Sequence, residues 1–351
     1  MQKYYTRACN FYFGKISKEK IKKKISLSIG GNTLISFDSI EIISRTSKKI
    51  INIKNIYKLP SGIKKKVLID IKNICKNKKI RNLRFQDFPI LMGVLNVTPD
   101  SFSDGSKFNR TKLAKRQINK LIEDRANIID VGGESTRPGS KDVPQSMEWN
   151  RIKNSIKYLK RKNFFVSLDS RKSYIMKKAL NFKLDLINDV SGLSYDKNTI
   201  NFLKKTKLPF VLHHMKGTTK TMQINPSYKN VLLDIYDYFE EKLKQIRKKG
   251  IKHNHIILDP GIGFGKNLKH NITIINNISI FHSLGFPIML GLSRKKYIKE
   301  IAGFNDSKDR IGGTISSCIY SMLQGVQILR VHDVNEINQG IKVFKKLYNN
   351  Q

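Results

Sequence analysis

Eight short apolar runs alternate with longer amphipathic stretches, and this alternation constrains the fold more than any other feature of the sequence. The runs lie at 90–96, 128–133, 165–170, 186–190, 210–214, 256–261, 288–293 and 326–333. The stretches that follow them lie at 111–126, 145–162, 171–180, 196–207, 229–250, 269–281, 307–323 and 334–348. Strands that are apolar throughout are typical of parallel sheets covered by helices. The pattern predicts a TIM (β/α)8 barrel and leaves an open doubly wound sheet as the alternative.

Polar residues or glycines end every one of these runs, although a buried strand does not need them for packing. The ends carry Asn96, Glu134, Asp169, Asn188, His213, Asp259, Ser293, Lys295, Arg330 and His332. In a barrel, the carboxyl ends of the strands meet at one rim, where the loops build the active site. One such residue could equally cap the following helix. Eight polar ends favour a shared site.

The first part of the chain differs from the rest and predicts a small N-terminal α/β extension. Partly alternating apolar residues over 25–43 and 48–59 indicate strands. Over 61–79, apolar residues recur at helical spacing, with lysines on the opposite face. We therefore divide the chain into a basic extension, 1–85, without recognisable chemistry, and a barrel, 86–351.

The net charge of +40 raises the possibility of a nucleic-acid partner. Most of the positive charge is lysine, and the chain is also rich in isoleucine and asparagine, a bias that AT-rich codons produce. No aromatic RNA-binding pattern or zinc-finger spacing accompanies the charge. We therefore attribute it to composition and expect no nucleic-acid partner. Recruitment of RNA by the basic extension stays open as an alternative.

The cysteines and the hydropathy pattern predict a compartment. Cys9, Cys75 and Cys318 are far apart, odd in number and outside any CxxC motif, so we expect free thiols and a cytoplasmic location. No apolar run reaches the length of about 18 residues that a membrane span needs, and the N-terminus lacks the apolar region of a signal peptide.

The polar strand ends stand in motifs that together resemble a known family. The first two loops read MGVLNVTPDSFSDGS (92–106) and DVGGESTRPGS (130–140), in which NVTPDSFSDG and GESTRPG are the most specific parts. Later strand ends read SLDS, NDVSG, HHMKG, LDPGIGFGKN, GLSRKK and LRVHDV. In this order they closely resemble the dihydropteroate synthases, which are pterin-binding TIM barrels. The resemblance covers residues 90–351.

The resemblance implies a transferase of folate biosynthesis. Such an enzyme condenses 7,8-dihydropterin-6-ylmethyl diphosphate with p-aminobenzoate to give 7,8-dihydropteroate and diphosphate, by a dissociative mechanism in which diphosphate leaves first. The family also implies Mg²⁺ as the cofactor, a homodimer as the assembly and competitive inhibition by sulfonamides.

The resemblance implies a pterin site at the ends of several strands. Asp169, Asn188 and Asp259 match the residues that read the polar edge of the ring, Lys295 matches a donor to the ring, and Arg330 matches a side chain that stacks on its face. These roles suit the chemistry, because an unpaired buried polar group costs about 1–3 kcal/mol.

Diphosphate and metal binding are implied for a second group of residues. Arg330, His332 and Thr136 match the residues that hold diphosphate, where cations and N–H donors stabilise the leaving charge. Asn96 matches the residue that contributes both to the diphosphate site and, through its amide oxygen, to Mg²⁺ binding; Mg²⁺ prefers oxygen ligands and keeps several waters.

The first two loops are implied to close over the second substrate. The p-aminobenzoate pocket is matched by Phe102, Thr136, Arg137, Pro138, Phe264 and Ser293. Asp104 is assigned to stabilising the cation that forms at the exocyclic carbon, and Arg137 to ordering its loop. With Lys295, Arg330 and His332 they form the catalytic set, and no motif supplies a covalent nucleophile.

The sequence departs from the family pattern at Ser106, Ile262 and His213. Ser106 replaces a glycine, Ile262 stands where phenylalanine is common, and His213 replaces an apolar side chain. We expect His213 to pack. Two alternatives stay open: a methyltetrahydrofolate-corrinoid methyltransferase, which shares the pterin-reading acids, and a non-catalytic paralogue that binds pterin or nucleic acid.

Overall fold

The computed structural model describes residues 2–83, 85, 88–98, 107–135, 139–140 and 142–349. Within these residues the strands form two sheets, one of eight parallel strands and one of four antiparallel strands. The predicted TIM barrel with an N-terminal α/β extension is therefore confirmed.

The N-terminal extension is built around one long strand. Its elements are β1 (Tyr5–Phe13), α1 (Gly14–Lys22), β2 (Leu27–Ile29), β3 (Asn32–Ile43), β4 (Lys48–Asn52), a 3-10 helix (Ile53–Lys58) and α2 (Ser61–Cys75). One edge of β3 pairs with β1, and the other edge pairs with β2 and then β4. The strands expected within 25–43 and 48–59 and the helix that starts at 61 are present, whereas β1 and α1 were not predicted.

The barrel strands coincide with the eight apolar runs. They are β5 (Ile90–Asn96), β6 (Ile128–Gly132), β7 (Val166–Asp169), β8 (Leu186–Asp189), β9 (Phe210–His213), β10 (Ile256–Asp259), β11 (Met289–Gly291) and β12 (Ile328–Val331). Their order is β10-β9-β8-β7-β6-β5-β12-β11. A parallel bridge between Leu258 and Ile288 joins the two ends of the sheet. The carboxyl ends of all eight strands therefore share one rim.

The helices surround this sheet. They are α3 (Lys107–Glu123), α4 (Gln145–Arg161), α5 (Ser173–Leu180), α6 (Thr199–Thr206), α7 (Val231–Lys248), α8 (Leu268–Asn276), a 3-10 helix (Ile278–Leu284), α9 (Lys296–Ala302), a second 3-10 helix (Lys308–Arg310), α10 (Ile311–Met322) and α11 (Val334–Asn349). Three details differ from the prediction. The stretch 307–323 divides into the second 3-10 helix and α10. The stretch 269–281 divides into α8 and the start of the 3-10 helix, and the additional short helix α9 follows β11. No helix in the described part of the chain is both long and apolar enough to cross a membrane.

The end of the extension lies inside the amino-terminal end of the barrel. Ile80 and Phe85 join a buried cluster whose other members come from the barrel strands, among them Ile90, Met92 and Val211. The boundary between residues 85 and 86 stays a prediction, but the segment before it contributes to the core of the barrel.

The antiparallel sheet packs against the outside of the barrel rather than standing apart from it. Tyr5 in β1 meets Tyr236 in α7 edge to face, with ring centroids 5.1 Å apart. The Ser279 hydroxyl donates to the carbonyl oxygen of Ala8 over 2.9 Å. One large hydrophobic cluster includes residues of both parts. The extension and the barrel therefore share a core.

Candidate active site

Residues of four strands meet in a buried polar cluster near the carboxyl rim. The guanidinium of Arg330 donates from Nε to Oδ2 of Asp130 over 2.7 Å and from Nη2 to Oδ2 of Asp169 over 2.8 Å. The side-chain amide of Asn188 donates to the same Asp130 oxygen over 2.9 Å. Residues of β6, β7, β8 and β12 are thereby joined through two carboxylates and one cation.

Asp130 is a site residue that the sequence analysis did not single out. It lies within the apolar run of β6 and is fully buried. A carboxylate in the middle of an apolar strand is itself a signal, because a charge is buried only when it is paired. That signal was present in the sequence and could have identified the residue.

Burial and neighbouring charges set the protonation of this cluster. Burial, followed by the negative charge of Asp130, raises the pKa of Asp169, whereas Arg330 opposes the rise. Burial lowers the pKa of Arg330, but the charges of Asp130 and Asp169 outweigh it and raise the pKa above the usual value. The guanidinium therefore stays charged while it is held between two acids.

A cavity lies directly beside the cluster. Its lining consists of Asn188, Val190, His213, Asp259, Gly261, Ile262, Phe264, Gly291, Lys295 and Arg330. Four of the five residues predicted to bind pterin are in this lining. The fifth, Asp169, does not line the cavity, but it accepts a hydrogen bond from Arg330, which does.

Two buried atoms of the cavity lining have no hydrogen-bond partner within the part of the chain that the structure describes. They are Oδ1 of Asn188 and Nδ1 of His213. Buried polar atoms in proteins are nearly always hydrogen-bonded, so such atoms in a cavity point to a polar ligand. Asp259 has one oxygen engaged, since Oδ1 accepts the Gly261 backbone N–H over 2.8 Å.

The acid and the amine in the cavity have shifted pKa values. Burial raises the pKa of Asp259 to about 6, against the opposing effects of the Gly261 N–H and of the Lys295 charge. Burial, followed by the charge of Arg330, lowers the pKa of Lys295 to about 8, although Asp259 opposes this change. At neutral pH the cavity therefore holds a carboxylate and an ammonium.

Phe264 forms the apolar wall between Lys295 and His213. The Lys295 ammonium lies 4.4 Å from the centroid of the Phe264 ring, a cation–π geometry. The His213 ring meets Phe264 edge to face at 4.7 Å, so it packs as expected. Burial, followed by Lys266 and Lys295, lowers the pKa of His213 well below its usual value. Ile262, which stands where the family commonly has phenylalanine, is buried and also lines the cavity.

His332 and Ser293 lie together at the ends of β12 and β11. The His332 ring nitrogen Nδ1 is 3.1 Å from the Ser293 hydroxyl. Burial, and then the charges of Arg330 and Arg294, lower the pKa of His332 to about 3. The imidazole is therefore neutral at physiological pH and can donate one N–H.

Asn96 is the last residue of β5, which lies between β6 and β12 in the sheet. The described residues contain no group of three or more His, Cys, Asp or Glu side chains that could hold a metal ion. A lone amide oxygen fits only a cation that keeps waters and takes its other ligands from substrate phosphates, as Mg²⁺ does. The donor set therefore suits Mg²⁺ and not a tightly ligated transition metal.

Several predicted residues lie outside the described part of the chain. Phe102, Asp104, Thr136, Arg137 and Pro138 are among them, together with the departure Ser106. Of the second loop, the structure describes both ends, and the Gly139 backbone N–H donates to the Thr219 carbonyl over 3.3 Å.

Comparison with known proteins points to one family. The model of the pterin binding enzyme family matches residues 92–332. The dihydropteroate synthase of Haemophilus influenzae is 37% identical over 262 residues, which is 74% of this chain and 94% of that protein. The dihydropteroate synthase of Escherichia coli is 37% identical over 256 residues, which is 73% of this chain and 90% of that protein.

Solved structures give the same result. A Yersinia pestis dihydropteroate synthase in complex with a sulfonamide drug superposes with a TM-score of 0.71 at 33% identity, covering 77% of this chain and 98% of that one. A Xanthomonas albilineans dihydropteroate synthase in complex with 7,8-dihydropteroate gives 0.68 at 30% identity, covering 76% and 95%.

Proposed function

The chain belongs to the family of pterin-binding enzymes and is a transferase with dihydropteroate synthase activity, and we propose that its rim residues carry out this activity in the roles described below. The observation that carries the assignment of roles is the cavity that brings Asn188, Asp259, Lys295 and Arg330 together beside the ion-paired Asp130 and Asp169. The relatives are synthases, which argues against the methyltransferase alternative.

The heterocycle binds in the cavity through its polar edge. Oδ1 of Asn188 and the second oxygen of Asp259 accept its N–H groups, and Lys295 donates to a ring acceptor. The guanidinium of Arg330 is planar and is held by Asp130 and Asp169, so it can stack on the ring without losing its position. Pairing every buried polar atom orients the ring and its exocyclic carbon.

The reaction starts with departure of diphosphate. The bond between the exocyclic carbon and the diphosphate oxygen breaks, and the leaving group takes the electron pair. Arg330 and Lys295 stabilise the growing negative charge, and neutral His332 donates a hydrogen bond, together with Thr136. The amine nitrogen of p-aminobenzoate then attacks the cationic carbon, and its surplus proton passes to the departed diphosphate. The chain supplies orientation and charge, and no covalent intermediate forms on it.

The second substrate binds between the cavity and the first two loops. Phe264 and Ser293 form its described wall, and Phe102, Thr136, Arg137 and Pro138 complete the pocket. Asp104 stabilises the cationic carbon. We propose that sulfonamides occupy the same pocket, and the sulfonamide complex of the related Yersinia pestis synthase supports this proposal.

Mg²⁺ is the proposed cofactor, held through the amide oxygen of Asn96. When bound, the ion would neutralise diphosphate charge. Asn96 would hold it through one oxygen, a donor that suits a cation which keeps several waters.

The chain is further proposed to act as a cytoplasmic homodimer. Large apolar side chains are exposed on three neighbouring helices: Ile301 in α9, Tyr320 in α10, and Val343 and Leu347 in α11. Large apolar side chains that are exposed on adjacent helices are typical of interaction surfaces. Light scattering should give twice the chain mass, and Leu347→Glu should give the monomer. Three free thiols support the cytoplasmic location.

A direct assay tests the proposed roles. Purified protein receives the dihydropterin diphosphate, p-aminobenzoate and Mg²⁺, and release of diphosphate and formation of dihydropteroate are followed together. Arg330→Ala and Asp259→Ala should each abolish turnover. Full activity of Asp259→Ala would show that the pterin assignment is wrong.

A further inference from the structure

Four buried ionisable side chains lie outside the lining of the active-site cavity, in the segments after β6 and β7 and in α4. Lys172 donates to Glu134 over 2.9 Å and to Glu148 over 2.7 Å, and Arg171 donates to Glu134 over 3.0 Å. The side-chain exposures of the four are 4% for Lys172, 4% for Glu134, 0% for Glu148 and 9% for Arg171. We refer to Glu134, Glu148, Arg171 and Lys172 as the charge clamp.

Glu134 and Lys172 of the charge clamp stay ionised although they are buried. Burial raises the pKa of Glu134, but hydrogen bonds from Arg171 and Lys172 hold it below the usual value. Burial lowers the pKa of Lys172, but Glu148 and Glu134 raise it above the usual value. Buried ion pairs are often replaceable by apolar residues without loss of stability, so stability alone does not account for such a cluster. The contacts of the charge clamp with the surrounding backbone indicate a positioning role.

The charge clamp binds both ends of the second loop. Glu134 begins the loop, and its Oε1 accepts the backbone N–H of Val143 over 2.8 Å. Lys172 donates to the Val143 carbonyl oxygen over 2.7 Å, and Arg171 donates to Asp142 over 2.7 Å. The segment 135–141 therefore spans two ends that are attached to the same two cations.

The same cations follow directly after a residue of the central cluster. Arg171 and Lys172 come two and three positions after Asp169, which is paired with Arg330. Between them, the Ser170 hydroxyl donates to Glu148 over 2.6 Å. The Arg171 guanidinium also lies 4.0 Å from the centroid of the Tyr195 ring, in the segment after β8. Three successive rim segments are thus joined at one point.

We propose that Lys172 and Arg171 are positioning residues, which fix the base of the 135–141 loop relative to the pterin cavity and so determine the affinity for p-aminobenzoate. They touch neither substrate. The proposal rests on the proposed function, since Thr136, Arg137 and Pro138 of this loop are assigned there to the p-aminobenzoate pocket.

The variant that tests the proposal must not leave an unpaired buried charge. Lys172→Met alone leaves Glu148 unpaired and can prevent folding. The double variant Lys172→Met with Glu148→Gln removes one charge of each sign, keeps an acceptor for Ser170 and leaves Glu134 paired with Arg171. Lys177→Met, an exposed position on the adjoining helix α5, is the matched control.

Steady-state kinetics and substrate binding supply the first readout. The double variant should raise KM for p-aminobenzoate about tenfold or more, because a small misplacement of binding groups has effects of this size. Affinity for the dihydropterin diphosphate, measured by calorimetry, should change less than about twofold, since the cavity itself is untouched. An equal loss for both substrates, or a lower Tm with both KM values unchanged, would overturn the proposal.

Limited proteolysis supplies a second readout that needs no turnover. Trypsin should cleave after Lys141 faster in the double variant than in Lys177→Met, because the end of the loop is released. Equal cleavage rates would contradict the proposal even if KM changed. The kinetic assay of the wild-type chain tests the proposed function separately. Absence of turnover by the wild type would count against the proposed function. Normal wild-type turnover, together with an unchanged KM for p-aminobenzoate in the double variant, would count against the charge clamp.

Discussion

Arg330 and Asp130 are separated by 200 positions in the chain, yet Nε of Arg330 lies 2.7 Å from Oδ2 of Asp130. The strand between their two strands, β5, carries Asn96 at its end. Asp130 therefore orients the cation that we propose binds both the ring and the leaving diphosphate. This role follows from the contact itself.

Asp130→Asn should lower kcat/KM by roughly 10- to 100-fold, which corresponds to the loss of one charge-assisted hydrogen bond. The amide keeps the size of the side chain and an acceptor for Asn188, so the fold should persist. Steady-state release of diphosphate measures the effect. Asp185→Asn, which alters an ion pair at the start of β8 with Lys160, serves as a control and should keep near-normal turnover. An unchanged kcat/KM in Asp130→Asn would mean that Asp169 alone suffices to hold Arg330.

Pterin affinity should fall as the pH drops below about 6. Burial raises the pKa of Asp259 to about 6, and the protonated carboxyl cannot accept two N–H groups. Titration calorimetry with the dihydropterin diphosphate, at pH values from about 5 to about 8 that bracket this pKa, tests the expectation. Asp259→Asn should bind more weakly at pH 8 and show no such inflection. A wild-type affinity that stays constant across this range would rule the assignment out.

The same carboxyl should reduce the stability of the unliganded protein at neutral pH. Its folded pKa is raised from 3.8 to about 6, so the destabilisation is absent below 3.8, grows between these values and is complete above 6. Its full size is about 3 kcal/mol. Asp259→Asn should therefore unfold at higher denaturant concentration than wild type at neutral pH, and the difference should shrink towards pH 4. A variant that is less stable at neutral pH would contradict the burial argument.

Activity should decline as the pH rises through about 8. The lowered pKa of Lys295 means that the free enzyme loses this ammonium there, and kcat/KM reports the free enzyme. Lys295→Arg keeps a charge at all accessible pH values, so its profile should stay flat where the wild-type profile falls about tenfold per pH unit. Parallel profiles for the two proteins would show that another group controls the alkaline limb.

Gly261→Ala should destabilise the protein far more than Gly303→Ala. Both glycines have positive φ, +68° and +81°. A Cβ at Gly261 would lie 2.1 Å from the carbonyl oxygen of His214, whereas nothing lies within 4 Å of one at Gly303. Strain alone costs about 1–2 kcal/mol, and the clash adds about 1–3 kcal/mol at Gly261. Chemical denaturation measures both variants, and similar losses would mean that the loop after β10 can relax.

The alternation of apolar and amphipathic segments predicted the eight barrel strands, because hydrophobic periodicity is a local property of the chain. The same reasoning did not find β1, because its buried residues come in neighbouring pairs, Tyr5 with Thr6 and Ala8 with Cys9, so that no clean alternation results. Helix α9 was also missed, since its seven residues are too few to show a period.

The sequence by itself determined which side chains stand at the strand ends, since Asn188, Asp259, Lys295 and Arg330 can be read from motifs. Only the tertiary structure decided what surrounds them. It pairs Arg330 with Asp130, buries Lys295 beside Phe264 and joins Lys172 to both ends of the second loop. These relationships join residues that are distant in the chain. Burial and electrostatic energy depend on distances in space, and the folded barrel alone sets those distances.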